Sequence, residues 1–233
     1  MNGNGDSYAA SDADFAGARR EMVLTQIRKR GIRSERVLQA MTAVLRHLFV
    51  PREFLSRAYA DEPLPIGEAQ TISQPFMVAA MAEALSLEGS ERVLEVGAGS
   101  GYQAAVLSLL AREVIAVETQ PALAAGARER LARLGYANVR VEQGDGSLGW
   151  PACAPYDAIL ITAAAPGVPP PLFEQLAEGG RLVIPVGNPE QQELSRIVKR
   201  EGRPIARSLY ACRFVPLVGR YGWRQDPREP NAG

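Results

Sequence analysis

Short apolar segments alternate with amphipathic ones along the second half of the chain. Apolar runs with the length and composition of buried strands lie at 92–96, 113–118, 139–142, 156–162 and 181–186. Helical patterns lie between them, at 103–111, 122–134 and 171–177. Buried strands that alternate with helices predict a parallel sheet covered on both faces, which is an α/β fold.

The region before this alternation has a different pattern. Apolar residues recur at helical spacing between 18 and 59, and a further helix is predicted at 75–87, with Pro75 in its first turn. Pro63, Pro65 and Gly67 predict an irregular segment between these helices.

The end of the chain also departs from the alternation. Segments 194–198, 203–210 and 213–217 look like strands with no helices between them, so antiparallel edge strands are expected. The predicted organisation is therefore a disordered leader at 1–15, an N-terminal helical region and loop at 16–90, and an α/β core with a C-terminal extension at 91–233.

Charge and cysteine usage narrow the classes of protein. The 233 residues include 26 basic and 26 acidic ones, so the net charge is zero and gives no electrostatic footprint for nucleic acid. Cys153 and Cys212 are far apart and in no metal-ligand spacing, so no metal is expected. No apolar run suggests a membrane span, and the polar first residues do not resemble a signal peptide. We expect a cytoplasmic protein that acts as a monomer, without nucleic acid or membrane partners.

A glycine-rich loop follows the first predicted core strand. It reads Glu95-Val96-Gly97-Ala98-Gly99-Ser100-Gly101, and its glycines let the backbone pass close to a ligand at the carboxyl end of the sheet. A dinucleotide fingerprint would place glycine at position 102, which is Tyr102, so a dehydrogenase is disfavoured. The pattern E-x-G-x-G-x-G is instead similar to that of class I S-adenosylmethionine-dependent methyltransferases. A tight structural turn is the alternative interpretation.

Acidic residues follow the next two strands. Glu118 ends the second strand, where a carboxylate can accept hydrogen bonds from both hydroxyls of a ribose. Asp145, followed by Gly146, comes after the third strand and could accept a hydrogen bond from an adenine amino group. A solvated charge at a strand end and a simple turn are the respective alternatives.

Further motifs carry a resemblance to one family. They occur in the same order from about residue 22 to residue 223: His47 to Pro51, Leu64 to Gly67, Gln70 to Pro75, Gly97 to Ala105, Gly144 to Gly146, Ala163 to Pro166, Gly179 to Gly187 and Phe214 to Leu217. In this set the chain resembles bacterial protein-L-isoaspartate O-methyltransferases. The resemblance implies a class I (Rossmann-like) methyltransferase fold and methyl transfer from S-adenosylmethionine to the α-carboxylate of isoaspartyl residues in damaged proteins and peptides, which initiates their repair.

The resemblance also implies roles for individual residues. Ser73 matches the active-site serine, and Gln70, Thr71 and Ile72 match the segment that closes over the cofactor. The remaining cofactor-binding residues are the loop, ribose and adenine positions: Gly97, Gly99, Ser100, Gly101, Glu118, Asp145 and Gly146. Ala69 departs from the pattern, because the family often has glycine there and a non-glycine residue resists positive φ.

The chemistry of the residues agrees with a carboxylate acceptor. A carboxylate is ionised at neutral pH and needs no general base, and the single histidine, His47, is interpreted as a packing residue. Ser73 could orient the carboxylate, or it could cap the helix that follows it. A methyltransferase with another acceptor and a non-catalytic adaptor are the rival hypotheses, and measured turnover on defined acceptors separates them.

Overall fold

A seven-stranded sheet forms the centre of the molecule. The computed structural model describes residues 12–223, and side chains from Phe15 onward. The sheet has the order β5-β4-β3-β6-β7-β8-β9. Its strands are β3 (Arg92–Val96), β4 (Glu113–Glu118), β5 (Val139–Gln143), β6 (Tyr156–Ile161), β7 (Leu176–Gly187), β8 (Gln192–Arg200) and β9 (Arg203–Cys212).

The first five of these strands are parallel, as their apolar composition predicts. Leu94 on β3 pairs with Ile115 on β4 and with Ile159 on β6, and all three are fully buried. Four helices complete this part of the chain: α3 (Pro75–Leu85), α4 (Tyr102–Ser108), α5 (Pro121–Arg133) and α6 (Pro170–Glu174). From β3 the chain first adds strands on one side, β4 and β5, and then crosses to the other side to add β6 and β7. The carboxyl ends of β3 and β6 therefore form the topological switch point, where open α/β sheets bind ligands. The predicted fold class is confirmed.

The N-terminal region is helical, as predicted. It contains α1 (Asp12–Glu21), a π-helical turn (Met22–Ile27) and α2 (Glu35–Ala43), followed by 3₁₀ turns at Arg46–Phe49 and Arg52–Arg57. The Ser34 hydroxyl caps α2 by accepting from the backbone N–H of Val37. Because α1 begins at Asp12, residues 12–15 belong to a helix and not to the predicted leader, whose residues 1–11 lie outside the described part.

The segment predicted to be irregular is a β-hairpin. Strands β1 (Leu64–Gly67) and β2 (Gln70–Ile72) pair antiparallel, and Glu68 and Ala69 form the two-residue loop. Both loop residues have positive φ, 50° and 53°. Two-residue hairpin loops need this conformation, because only then does the twist of the loop match the right-handed twist of the strands. The prolines obscured this hairpin in the sequence, because proline marks edges and turns more often than strand interiors.

The C-terminal half contains two further corrections. The predicted helix at 171–177 is too long at its C-terminal end. Helix α6 ends at Glu174, and residues 176–177 already belong to the long strand β7. Strands β8 and β9 are antiparallel, as predicted, but residues 213–217 form no strand. They pass over the carboxyl end of the sheet, where Pro216 makes an isolated bridge with Ala164. This course places them at the edge where the glycine loop lies.

Candidate active site

The glycine loop makes a tight turn at the carboxyl end of β3. Gly97 has a φ of 95°, and its N–H donates to the carbonyl oxygen of Val117 (2.8 Å). A β-carbon at Gly97 would collide with the Oγ1 of Thr162, whose hydroxyl donates to the Gly97 carbonyl oxygen (2.7 Å). Glycine is therefore required at this position both by backbone conformation and by space.

Glu118 holds the loop from the neighbouring strand. Its Oε2 accepts from the backbone N–H of Gly99 (2.8 Å), and its Oε1 accepts from that of Gln120 (3.0 Å). A carboxylate has about four lone-pair sites, so two of them stay available for a ligand. Glu118 is thus more than a solvated charge at a strand end.

Glu95 is buried beneath the loop without a partner. Its side chain is completely inaccessible, and no described residue donates a hydrogen bond to either carboxylate oxygen. Burial first, and then the charge of Glu118, raise the pKa of Glu95 well above its ordinary value of 4.5. Neither Glu95 nor Glu118 forms an ion pair with a residue that the structure describes, so this region favours a positively charged ligand.

The β1–β2 hairpin covers the glycine loop from the other side. The Cδ1 of Ile66 lies 3.3 Å from the position of a β-carbon on Gly99. Ser73 follows the hairpin directly and precedes α3, and no described residue forms a hydrogen bond with its hydroxyl. The alternative prediction that Ser73 caps α3 is wrong: the backbone N–H of Phe76 donates to Asp61 instead.

Two connected spaces meet at Ser73. The first, which we call the inner cleft, lies between the hairpin, the glycine loop and residues 215–218; among its lining residues are Gln70, Thr71, Ile72, Ser73, Gly97, Gly99, Ser100, Glu118, Gly146 and Thr162. The second, which we call the outer cavity, has a volume of about 810 Å³ and extends from Ser73 towards the end of β9. Thr71, Ser73 and Thr162 line both spaces.

The structure does not bring every predicted site residue into the inner cleft. Gly101 lies at the start of α4, where a β-carbon would stand 3.1 Å from Leu131, so its contact is with α5. The Asp145 carboxylate accepts from the Ser147 hydroxyl (2.7 Å) and from the backbone N–H of Arg220 (2.8 Å). Asp145 therefore holds the C-terminal segment, and it does not line the inner cleft.

Other residues of the site were missed by sequence reasoning. Thr162 immediately follows β6 at the switch point, a position that the alternating pattern could have indicated. Glu95 lies within the recognised motif, but its complete burial could not be read from the sequence. The outer cavity also contains Tyr210 and Phe214, which belong to a segment far along the chain from Ser73.

The outer cavity has few groups able to move a proton. Among residues 12–223, those that line it include no histidine, lysine or carboxylate. Burial raises the pKa of the Cys212 thiol to about 11, so this thiol stays protonated at neutral pH. His47 is remote and buried, with Nδ1 2.8 Å from the Tyr59 hydroxyl and its ring stacked on Phe15. The described lining therefore favours an acceptor that is reactive without a general base.

Two further observations concern metals and membranes. Within residues 12–223, no group of three or more His, Cys, Asp or Glu side chains is arranged to hold a metal ion. None of the helices in that part of the chain combines the length and apolar character that a bilayer crossing needs.

Comparison with known proteins agrees with this site. A family model described as protein-L-isoaspartate(D-aspartate) O-methyltransferase matches residues 18–222. A protein-L-isoaspartate O-methyltransferase of Methanoculleus marisnigri is 56% identical over 208 residues, covering 89% of this chain and 94% of its own. A solved protein-L-isoaspartate O-methyltransferase has a TM-score of 0.80 and 32% identity, covering 88% of this chain and 67% of its own.

A second solved structure includes a ligand. It is a putative protein-L-isoaspartate O-methyltransferase from Plasmodium falciparum in complex with S-adenosyl-L-homocysteine. It has a TM-score of 0.72 and 27% identity, covering 85% of this chain and 97% of its own. The fold and the site thus define a class I S-adenosylmethionine-dependent methyltransferase. More closely, the chain belongs to the protein-L-isoaspartate(D-aspartate) O-methyltransferase family.

The residues present fit S-adenosylmethionine. Gly97 and Gly99 line the inner cleft without side chains, so their backbone is open to a ligand. The unpartnered carboxylate of Glu95 suits a cofactor that carries an ammonium and a sulfonium group. When bound, the cofactor supplies an electrophilic methyl group.

Proposed function

We propose that the inner cleft and the outer cavity divide the reaction of this family between them, with Ser73 at their junction. The enzyme transfers a methyl group from S-adenosylmethionine to the α-carboxylate of L-isoaspartyl residues in damaged proteins and peptides. The observation that carries the proposal is that Ser73 lines both spaces while its hydroxyl is not used by the helix that follows. The cofactor occupies the inner cleft and the isoaspartyl polypeptide occupies the outer cavity.

The inner cleft positions the cofactor through its polar groups. Glu118 accepts hydrogen bonds from the ribose hydroxyls. It uses the lone pairs that are not engaged by the backbone N–H groups of Gly99 and Gln120. Gly97, Gly99 and Ser100 would present backbone to the methionine part. Glu95 is buried beneath this loop, outside the cleft lining, and would favour the positive charge of the methionine part from below. Gln70, Thr71 and Ile72 close the cleft from the hairpin side.

The adenine end involves Gly146 and the C-terminal segment. Gly146 and residues 215–218 line the inner cleft at this end. Asp145 lies outside the cleft lining and holds residues 219–221 through its contacts with Ser147 and Arg220, so its effect on adenine binding is indirect. Gly101 acts through the packing of α4 against α5.

The outer cavity favours a carboxylate as the methyl acceptor. A carboxylate is already ionised at neutral pH, whereas a hydroxyl or an amine must lose a proton, and the described residues of the cavity lining provide no base. The Ser73 hydroxyl donates to the carboxylate oxygen that does not attack. This contact fixes the attacking oxygen in line with the methyl group and replaces part of the water that solvates the free carboxylate.

The cellular setting is part of the proposal. The zero net charge supports action on polypeptides and not on nucleic acid, because the molecule has no overall attraction for a phosphate backbone. We propose a cytoplasmic monomer; an elution volume of a dimer in size-exclusion chromatography would contradict the oligomeric state.

Two peptides that differ in one linkage test the function. We expect methylation of a peptide with an L-isoaspartyl residue and little or none of its aspartyl twin, because about 1 Å of displacement can cost 10²-fold in rate. The product should release methanol in mild base, as an ester does. Equal rates on the two peptides, or a base-stable product, would contradict the acceptor assignment while leaving the cofactor site intact.

A further inference from the structure

The charge of the outer cavity has one sign. Of the lining residues within the described part of the chain, two are charged, Arg30 and Arg213, and both are basic. Arg30 is neutralised: it forms an ion pair with Asp61, and its guanidinium lies over the Phe76 ring, 3.6 Å from the centroid. Arg213 is exposed and forms no ion pair with any residue that the structure describes. The mouth of the cavity thus presents an uncompensated positive charge.

The positive charge continues along β9. Tyr210 packs edge-on against Phe76 of α3, so the face of β9 that carries Tyr210 is the face over which α3 lies. Leu194 on β8 pairs with Tyr210, and Arg196, two residues along β8, pairs with Arg207. Alternate residues of β8 share a face, and the register shift leaves Leu209 as an extra residue on β9. Arg207 therefore lies on the same face as Tyr210 although it is three residues away.

No acidic residue in the described part of the chain forms an ion pair with Arg196 or Arg207. The pKa of Arg196 is lowered mainly by burial, and further by the charges of Arg181 and Arg207. Its Nε has no hydrogen-bond partner among the described residues. The nearby carboxylate of Glu193 accepts from Ser208 on the opposite face of the hairpin.

The geometry of β9 suits an extended polypeptide. It is the edge strand of the sheet, and residues 203–208 are exposed. Because of the extra residue Leu209, Arg207 lies two β8 positions from Tyr210, which is roughly 7 Å at 3.3 Å per residue. A chain that leaves the outer cavity beside this edge would reach Arg207 after about two residues.

We propose that Arg213 and Arg207 select isoaspartyl sites that have an acidic residue within about three positions of the damaged linkage. The inference rests on the proposed function and specifies the substrate class of the same site. A carboxylate near the isoaspartyl residue meets Arg213 at the cavity mouth, and one further along meets Arg207. Lysine at the same places is repelled by both arginines.

A set of matched isoaspartyl peptides tests the inference. The peptides share one sequence and carry glutamate, glutamine or lysine at the third position before or after the isoaspartyl residue. We expect kcat/KM to fall from glutamate to glutamine to lysine, with about a 3- to 10-fold difference between the ends at low salt, and the difference to shrink as salt is added.

Charge reversal identifies the residues responsible. Arg207→Glu and Arg213→Glu should each reduce or invert the preference, whereas Arg112→Glu, an exposed arginine just before β4, should leave it unchanged. Arg207→Gln and Arg213→Gln serve where a reversal prevents folding, and should weaken the preference. Arginines on an edge strand also discourage pairing with other chains.

The possible results distinguish failure of this inference from failure of the proposed function. If the arginines of β9 served only to prevent pairing with other chains, the three peptides would react equally, and equal rates would overturn the inference. A preference that survives both arginine substitutions overturns it as well. Failure of every peptide, including the glutamine one, would instead contradict the proposed function.

Discussion

The Asp61 carboxylate accepts a hydrogen bond from the backbone N–H of Phe76, with 3.0 Å between Oδ1 and N. Asp61 therefore supplies the side-chain cap of α3 although it lies 15 residues away in the sequence. It also forms the ion pair with Arg30 that holds the guanidinium over Phe76. Because this cap comes from Asp61, the Ser73 hydroxyl is free for a ligand.

Replacement of Ser73 by alanine should reduce turnover and leave stability unchanged. A hydrogen bond to a charged group contributes about 1.5–3 kcal/mol, so kcat/KM should fall about 10- to 100-fold. The affinity for S-adenosylhomocysteine should change little. Kinetics, calorimetry and thermal melts on Ser73→Ala check this; a lower melting temperature with full activity would contradict it.

Asp61→Ala is the complementary variant. It removes the cap of α3, which should cost about 1 kcal/mol of stability. Because α3 and Arg30 then lose a shared anchor, the melting temperature should fall, unlike that of Ser73→Ala. Equal melting temperatures for the two variants would show that Asp61 does not stabilise the start of α3.

Glu118→Ala should weaken binding of S-adenosylhomocysteine. The variant removes acceptors for the ribose hydroxyls and also releases the Gly99 N–H, at an expected cost of about 1.5–3 kcal/mol of binding free energy. Glu113→Ala is a matched control, since Glu113 lies at the other end of β4. Calorimetry showing unchanged affinity in a folded Glu118→Ala protein would refute the ribose assignment.

Ala69→Gly should stabilise the hairpin. Ala69 has a φ of 53°, a left-handed conformation that is unfavourable for a residue with a β-carbon. Glycine removes this strain but loses more backbone entropy on folding, so the net gain should be about 0.5–1 kcal/mol. The same substitution at Ala125, exposed within α5, should be destabilising. Chemical denaturation of both variants measures the two signs.

The strands of the central sheet could be predicted from the sequence, whereas the hairpin that covers the glycine loop could not. The strands around Leu94 and Ile115 are apolar on both faces, so periodicity and length were sufficient. The hairpin at 64–72 was missed because its strands are short and contain Pro65, and its loop depends on two residues with positive φ. Local propensity does not encode such a pairing.

The cofactor loop was predictable because its chemistry is local. Gly97 and Gly99 follow a strand directly, and the required backbone conformation restricts the residue type. The contacts of Asp145 were not predictable, because its partner Arg220 is 75 residues away and the segment that carries it forms no regular strand. The burial of Glu95 depends in the same way on the complete tertiary structure.

The last prediction concerns the Glu95 carboxylate and pH. Its pKa in the folded protein is raised by burial and by Glu118, while in the unfolded chain it titrates near 4.5. The stability that it contributes is therefore complete below about pH 4.5 and is lost as the pH rises through the folded-state pKa. Glu95→Gln is neutral at every pH, so its melting temperature relative to the wild type should increase from pH 5 towards pH 8.

Ligand binding should reverse the ionisation of Glu95. The ammonium group of S-adenosylhomocysteine favours the charged carboxylate, so binding below the folded-state pKa should release a proton. Calorimetry in two buffers with different ionisation enthalpies measures this proton, which should be absent in Glu95→Gln. Equal proton release by the two proteins would mean that Glu95 does not meet the charge of the ligand. In the melting experiment, a difference between Glu95→Gln and the wild type that stays constant from pH 5 to pH 8 would mean that folding does not raise the pKa of Glu95.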